Sequence, residues 1–173
     1  MINETMFREY DIRGLAASEL TDPVVERIAM AIAAIYVREK RETVAVGMDG
    51  RPSSPRIKDL LCRTLARYGL RVTDLGLVPS PVVYYAAFRH GLGGAVVVTA
   101  SHNPSEYNGL KVMLGTAALY GDQVREIYRL AVNGPVAPEK PGEVVPRDIL
   151  EEYMKYIEGN VSLKRRLRVV VDA

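Results

Sequence analysis

The sequence predicts an α/β chain: a three-layer α/β/α domain around a mostly parallel or mixed sheet, followed by a helix and a strand that open a second domain. Three features carry that prediction. Short apolar, β-branched runs alternate with amphipathic segments of helical period. Three of the helical segments open on a hydroxyl or acidic residue followed directly by proline, at Pro23, Pro55 and Pro81. A proline-rich stretch then separates residues 1–134 from a short remainder.

Taken in order, Thr21 or Asp22 caps the first helix, and Val25, Ile28, Ala29, Ile32 and Ile35 repeat at helical spacing as far as Arg41. Thr43–Met48 reads as a buried strand closed by Asp49-Gly50. Ser53 or Ser54 caps the next helix, whose apolar face is Ile57, Leu60, Leu61, Leu65 and Tyr68 and whose stop is Gly69. Arg71–Leu75 is a short strand, and Ser80-Pro81 opens a third helix that ends near Gly91. Gly94–Thr99 is a continuous β-branched run of the kind found in a strand covered on both faces, which places it centrally. Leu110–Leu114 is a further strand, and a helix from Asp122 to Val132 stops at Asn133-Gly134.

Four of the ten prolines fall at 135, 138, 141 and 146, so residues 135–147 read as an extended connector. In residues 148–173, Ile149, Tyr153 and Ile157 suggest a short helix, and Leu167–Asp172 a strand. A lone strand leaves its backbone unpaired, so it adds to the first domain, pairs with a second copy, or begins a further domain; the last is the expectation. Self-association through that strand is expected if it stays orphaned.

Composition narrows the function. At about 150 residues per domain, 173 residues make one domain with a little left over. The 48% hydrophobic and 25% charged content is that of a chain with a real core. With 23 basic and 21 acidic residues the net charge is +2, so there is no basic field for nucleic acid, and any anion site must be local. The single cysteine, Cys62, excludes an intramolecular disulfide and a multi-cysteine zinc site, and reads as a small core residue. The N-terminus lacks a signal-peptide layout and no apolar run approaches about 18 residues, so a cytoplasmic protein without membrane partners is expected.

The chemistry concentrates in Thr99-Ala100-Ser101-His102-Asn103-Pro104, which follows the most buried strand. Sheet-end loops are where ligands collect in α/β folds. A hydroxyl, an imidazole, an amide and the Lys111 ammonium lie within eleven residues of one another. A serine hydrolase needs a glycine-flanked elbow or a base oriented by a carboxylate, and Ala100-Ser101-His102 supplies no glycine. Phosphoryl transfer needs a positioned oxygen, cations and usually a metal, which suits Ser101, Lys111 and a nearby arginine better.

Four segments then carry a resemblance: Phe7–Gly14, reading Phe-Arg-Glu-Tyr-Asp-Ile-Arg-Gly; Val46–Arg51 with its Asp-Gly-Arg; Leu77–Pro81; and Thr99–Pro104 through Tyr107–Lys111. In this order they resemble the N-terminal domain of the α-D-phosphohexomutases, in particular the phosphomannomutase/phosphoglucomutase branch. The Ser-His-Asn-Pro loop is the most specific of them.

The resemblance implies an isomerase that moves phosphate reversibly between the 1- and 6-positions of a hexose through a bisphosphorylated sugar. By position, Ser101 is the phosphoserine, its phosphate also bound to Mg²⁺. Such a phosphate carries a charge of about −1.5 to −2 that cations must match. Lys111 and Arg13 are the implied local cations, Lys111 also as proton carrier. His102 shapes the loop or touches substrate, Tyr10 lines the same cleft, and Asn103 braces the loop or contacts substrate. A hexose 1,6-bisphosphate is the implied activator.

Arg51 reads as structural, paired near Asp49, and Ser53 and Ser54 as helix caps. In that family three further domains follow, with the remaining Mg²⁺ ligands and the sugar-recognition loop, so this chain alone is expected to be inactive. The alternative is a non-catalytic phosphate-binding or self-associating module.

Overall fold

A computed structural model describes residues 2–134 and 141–172 of the chain. After a 3-10 turn at Glu4–Met6, the elements are β1 (Ile12–Leu15), α1 (Asp22–Arg38), β2 (Thr43–Met48), α2 (Ser54–Arg67), β3 (Arg71–Leu77) and α3 (Ser80–Arg89). They continue with β4 (Gly94–Val98), β5 (Tyr107–Leu114), β6 (Ala117–Ala118), α4 (Asp122–Asn133), β7 (Glu143–Pro146) and α5 (Leu150–Asn160). The strands form one mixed sheet in the order β1-β5-β4-β2-β3-β7, with β6 paired to β5. Strands β4, β2, β3 and β7 run parallel, while β5 is antiparallel to both β4 and β1.

Alternation along the strands divides the core in two. Val44, Val46, Val72, Val96, Val98 and Leu110 join Ile28, Ile32, Ile57 and Leu61 from α1 and α2 on one face. Ala45, Leu75, Ala95, Val97 and Met113 pack against Val82, Val83 and Ala86 of α3 on the other. Each fully buried Val or Ile contributes about 1.5–3 kcal/mol relative to exposure, so the buried valines of β2 and β4 make the sheet the centre of stability. The three-layer α/β/α domain expected from the sequence is thus present, with its β-branched run in an interior strand.

The helix starts differ in detail from expectation. Thr21 and Ser53 stand at cap positions but make no capping hydrogen bond through their side chains, and Pro79 takes the cap position of α3. Proline occupies the second helical position in all three helices. That is where a cap would find one of its N–H donors, and proline has none. The Ser53 and Ser54 hydroxyls are spent elsewhere, each accepting from Asn108 Nδ2 at 2.8 and 2.9 Å.

Part of the expected connector is a strand. Glu143–Pro146 extends the sheet as β7, with Arg71 opposite Glu143 and Asp74 opposite Pro146. The open edge of β3 offers its hydrogen bonds, and an edge strand tolerates Pro146. Pro135 and Pro138 lie outside the described residues. The expected C-terminal helix is α5, and it packs onto α3: Ile149 is buried beside Tyr85, whose ring lies 5.3 Å from Tyr153 and 5.0 Å from Tyr156. Leu167–Asp172, expected as a strand, has no strand structure, and Val170 is 95% exposed. A strand exists only when paired, and no described segment pairs with it. The segments around the functional loop also gain elements that sequence pattern missed. Strand β1 is one, and β5 begins at Tyr107, not Leu110.

Gly109 of β5 stands opposite Arg13 of β1, and its carbonyl accepts from the Thr99 amide just after β4 at 2.9 Å. A Cβ there would collide with the Ile12 carbonyl and sit 3.1 Å from the Thr99 carbonyl. Gly109→Ala is therefore expected to destabilise the chain by about 1–3 kcal/mol, read as a lower urea midpoint with an unchanged denaturant slope.

Candidate functional site

The chain leaves β2 for α2 on one face of the sheet and β3 for α3 on the other, so the carboxyl ends of these strands flank a topological switch point. A crevice of about 490 Å³ opens there, lined among others by Asp49, Leu77, Ser80, Thr99, Ser101 and His102. The loop after β4 forms one wall. Its serine, Ser101, has φ of +54°, a left-handed conformation that costs a non-glycine residue about 1–2 kcal/mol. Local bonds hold it there: the Ser101 amide donates to Thr99 Oγ1 at 2.9 Å, and the Asn103 amide to the Ala100 carbonyl at 3.1 Å.

Register brings the cations together. Arg13 stands opposite Gly109, and Lys111 opposite Val97, so Asp11, Arg13 and Lys111 share the face of the sheet that α3 covers. Asp11 is 5% exposed, and a single oxygen, Oδ2, accepts from both Arg13 Nη2 and Lys111 Nζ at 2.7 Å. Arg13 Nη1 reaches on to Asn103 Oδ1 at 2.9 Å, tying the cluster to the serine loop, while Arg13 Nε is buried without a hydrogen-bond partner among the described residues. Burial pushes the Asp11 carboxyl up, but the hydrogen bonds and charges of Arg13 and Lys111 outweigh it and hold the group below its ordinary value. Two cations against one carboxylate leave a local positive charge. Tyr84 of α3 stands close enough for burial and the Asp11 charge to push its hydroxyl up.

A second cluster sits under the loop. The Arg51 side chain, 13% exposed, pairs with Asp49 through Nε at 3.1 Å, and its remaining N–H groups donate to carbonyls of the serine loop. Asp49 Oδ1 accepts from Ser54 Oγ at 2.6 Å and from the Arg51 amide at 3.2 Å. Burial raises the Asp49 carboxyl, while Ser54, Thr99 and Arg51 bring it below its ordinary value.

Of the residues chosen from sequence, Ser101 and His102 line the crevice, with His102 exposed at its rim. Arg13, Lys111 and Asn103 are joined through Asp11 and Arg13. Tyr10 is 69% exposed and is not among the residues lining the crevice. Sequence reasoning missed Asp11, although an acid two residues before Arg13 in a strand must share its face. It placed Arg51 beside Asp49, where the structure has it, but had no signal for its contacts with a loop fifty residues away. Among the described residues no three His, Cys, Asp or Glu side chains cluster so as to hold a metal ion.

Fold and site together define a layered α/β domain with a left-handed serine and a cationic cluster at a switch point. Residues 4–134 match the family model described as phosphoglucomutase/phosphomannomutase, alpha/beta/alpha domain I, and the chain belongs to that family. It is 38% identical over 173 residues to a phosphoglucomutase of Neisseria meningitidis serogroup A, covering 99% of this chain and 38% of that protein. To a phosphomannomutase/phosphoglucomutase of Pseudomonas putida it is 38% identical over 170 residues, covering 98% of this chain and 36% of the relative. A crystal structure of a phosphoglucomutase/phosphomannomutase family protein from Burkholderia thailandensis superposes with a TM-score of 0.89 at 35% identity, over 95% of this chain and 38% of that one. The chain thus spans less than two fifths of the length of these relatives.

Because the folded-state value of Asp11 lies below its ordinary 3.8, the stability from its ion pairs is fully present above that pH and is lost as pH falls through the lower, folded-state value. Asp11→Asn is therefore expected to be less stable than the native chain at neutral pH, with the gap closing below pH about 4. Urea titrations at a series of pH values measure this; a gap that stays constant into acid would contradict it.

Proposed function

We propose that this chain is the N-terminal part of a phosphohexomutase, an isomerase that moves phosphate between the 1- and 6-positions of a hexose, with Ser101 as the phosphate carrier. The observation that carries the reading is a serine held left-handed in the wall of a crevice at the switch point, tied through Asn103 and Arg13 to the Asp11–Lys111 cation cluster. In the forward step the sugar hydroxyl oxygen attacks the Ser101 phosphorus and the P–Oγ bond breaks. The hydroxyl proton ends on the serine oxygen, giving a bisphosphorylated sugar, and return of the other phosphate to Ser101 completes the interchange. Arg13 and Lys111 stabilise the charge on the equatorial oxygens, and Lys111 carries the proton between sugar and serine. His102 and Asn103 contact sugar or brace the loop, and Tyr10 closes on the sugar from its exposed position.

Mg²⁺ would meet this chain at the Ser101 phosphate, with its other ligands in the portion of the relatives that this chain does not span. A hexose phosphate is the substrate, and a hexose 1,6-bisphosphate the activator that loads the serine. We read residues 1–134 as one domain, whose sheet β7 extends and onto whose α3 the helix α5 packs, and the segment after α5 as leading into the next, in a cytoplasmic enzyme. No described helix is long and apolar enough to cross a membrane. The exposed apolar Val169, Val170 and Val171 support a segment that pairs with backbone outside this chain, whether further domains or a second copy.

The isolated chain is expected to show no sustained turnover of glucose 1-phosphate, since its crevice is open to water and catalysis needs preorganised groups on the far side. A chimera in which it replaces the matching segment of the Pseudomonas putida relative is expected to interconvert glucose 1-phosphate and glucose 6-phosphate. Ser101→Ala in that chimera should lower the rate by ~10³-fold or more. A Ser101→Ala chimera that works at the unmodified rate would overturn the reading.

A further inference from the structure

We infer that Arg51 is the positioning residue of the Ser101 loop: a backbone clamp that holds the serine in its left-handed conformation and takes no part in binding phosphate. The inference rests on the proposed function for why the shape of the loop matters. The clamp itself rests on geometry. An arginine has five N–H groups set in a planar fork. Nε is spent on Asp49 Oδ2 at 3.1 Å. Nη1 donates to the Pro104 carbonyl at 2.6 Å and the Tyr107 carbonyl at 3.1 Å. Nη2 donates to the Ser101 carbonyl at 3.0 Å and the Asn103 carbonyl at 2.6 Å. No donor remains to face the crevice.

Arg13 is the counter-example at the same site. Its Nη groups reach Asp11 and Asn103, but its buried Nε has no partner among the described residues, so it is the arginine with capacity to spare. The two guanidinium groups therefore have different work. One plane of Arg51 gathers carbonyls from Ser101 to the first residue of β5, turning the Ser101 carbonyl inward while the residue itself lines the crevice.

The clamp is anchored in turn. Asp49 accepts from Ser54 Oγ, and Ser54 Oγ accepts from Asn108 Nδ2 at 2.9 Å. Asn108 and Ser54 have no exposed surface. The turn after β2, the start of α2 and the start of β5 thus hold one another around the guanidinium. A lysine at 51 would keep the charge but not the fork, because its three donors sit on one atom of a flexible stem.

The test uses Arg51→Lys and Arg51→Ala in the 173-residue chain, read by amide hydrogen exchange and backbone chemical shifts. In both variants the Asn103 and Tyr107 amides should exchange faster by about tenfold or more, while amides of β2 and β4 keep their protection. The Ser101 shifts should leave the left-handed pattern. Guanidinium ion added to Arg51→Ala should restore slow exchange, and methylammonium should not. Unchanged loop exchange and shifts overturn the clamp, as does equal restoration by methylammonium. Should Arg51→Ala fail to fold, Arg51→Lys decides by the same comparison of loop with core. Ser101 phosphate is measured separately, from the mass of the chain. A loosened loop in a chain whose Ser101 takes no phosphate upholds the clamp and removes only the functional reading. A phosphorylated Ser101 in a loop indifferent to Arg51 removes only the clamp.

Discussion

Ala45, Val46, Ala95, Val96, Val97 and Val98 have no exposed surface, so the two strands that carry them are covered on both faces and every connection leaves the sheet at its ends. Everything at the crevice follows from that burial. Strand β2 hands the chain to α2 on one side and β3 hands it to α3 on the other, which parts the layers at the carboxyl ends. The loop after β4 can only come out beside that parting. A serine in it needs no further guidance to reach a crevice, but it needs support to hold a fixed shape there.

That support is polar and comes from two directions. On the α3 face of the sheet, Asp11 gathers Arg13 and Lys111 on one oxygen, and Arg13 passes the connection on to Asn103. Beneath the loop, Asp49 anchors Arg51, whose fork takes four backbone carbonyls. In both clusters a largely buried carboxylate stays charged because its partners outweigh the burial that would neutralise it. The positive excess left over is small and local, in a chain whose overall net charge is +2.

Much of this was legible in the sequence. Val46, Val96 and Val98 announced buried strands by β-branched runs, and α1 to α4 announced themselves by period. Ser101, His102 and Lys111 stood out by crowding. The helix caps misled, because a hydroxyl before proline looks like a cap while the proline removes a donor the cap would use. Glu143–Pro146 misled for a different reason: prolines signal an irregular connector, yet the free edge of β3 pairs with whatever extended segment passes it. Leu167–Asp172 failed in the opposite sense, having strand composition and no described strand to join.

The periods of α1 to α4, the β-branched runs of β2 and β4 and the crowding of the Ser101 loop are local properties, carried by residues within a few positions of one another, and the sequence alone determined them, whereas β1 and β7 exist only through the strands they pair with. The convergence of Asp11 on Lys111 across one hundred residues, and of Arg51 on the carbonyls of 101–107, depends on strand order and register. Those are set by which surfaces bury best against each other, a choice made only when the whole sheet assembles. Tertiary structure therefore decided which charges meet and which arginine still has a donor to offer.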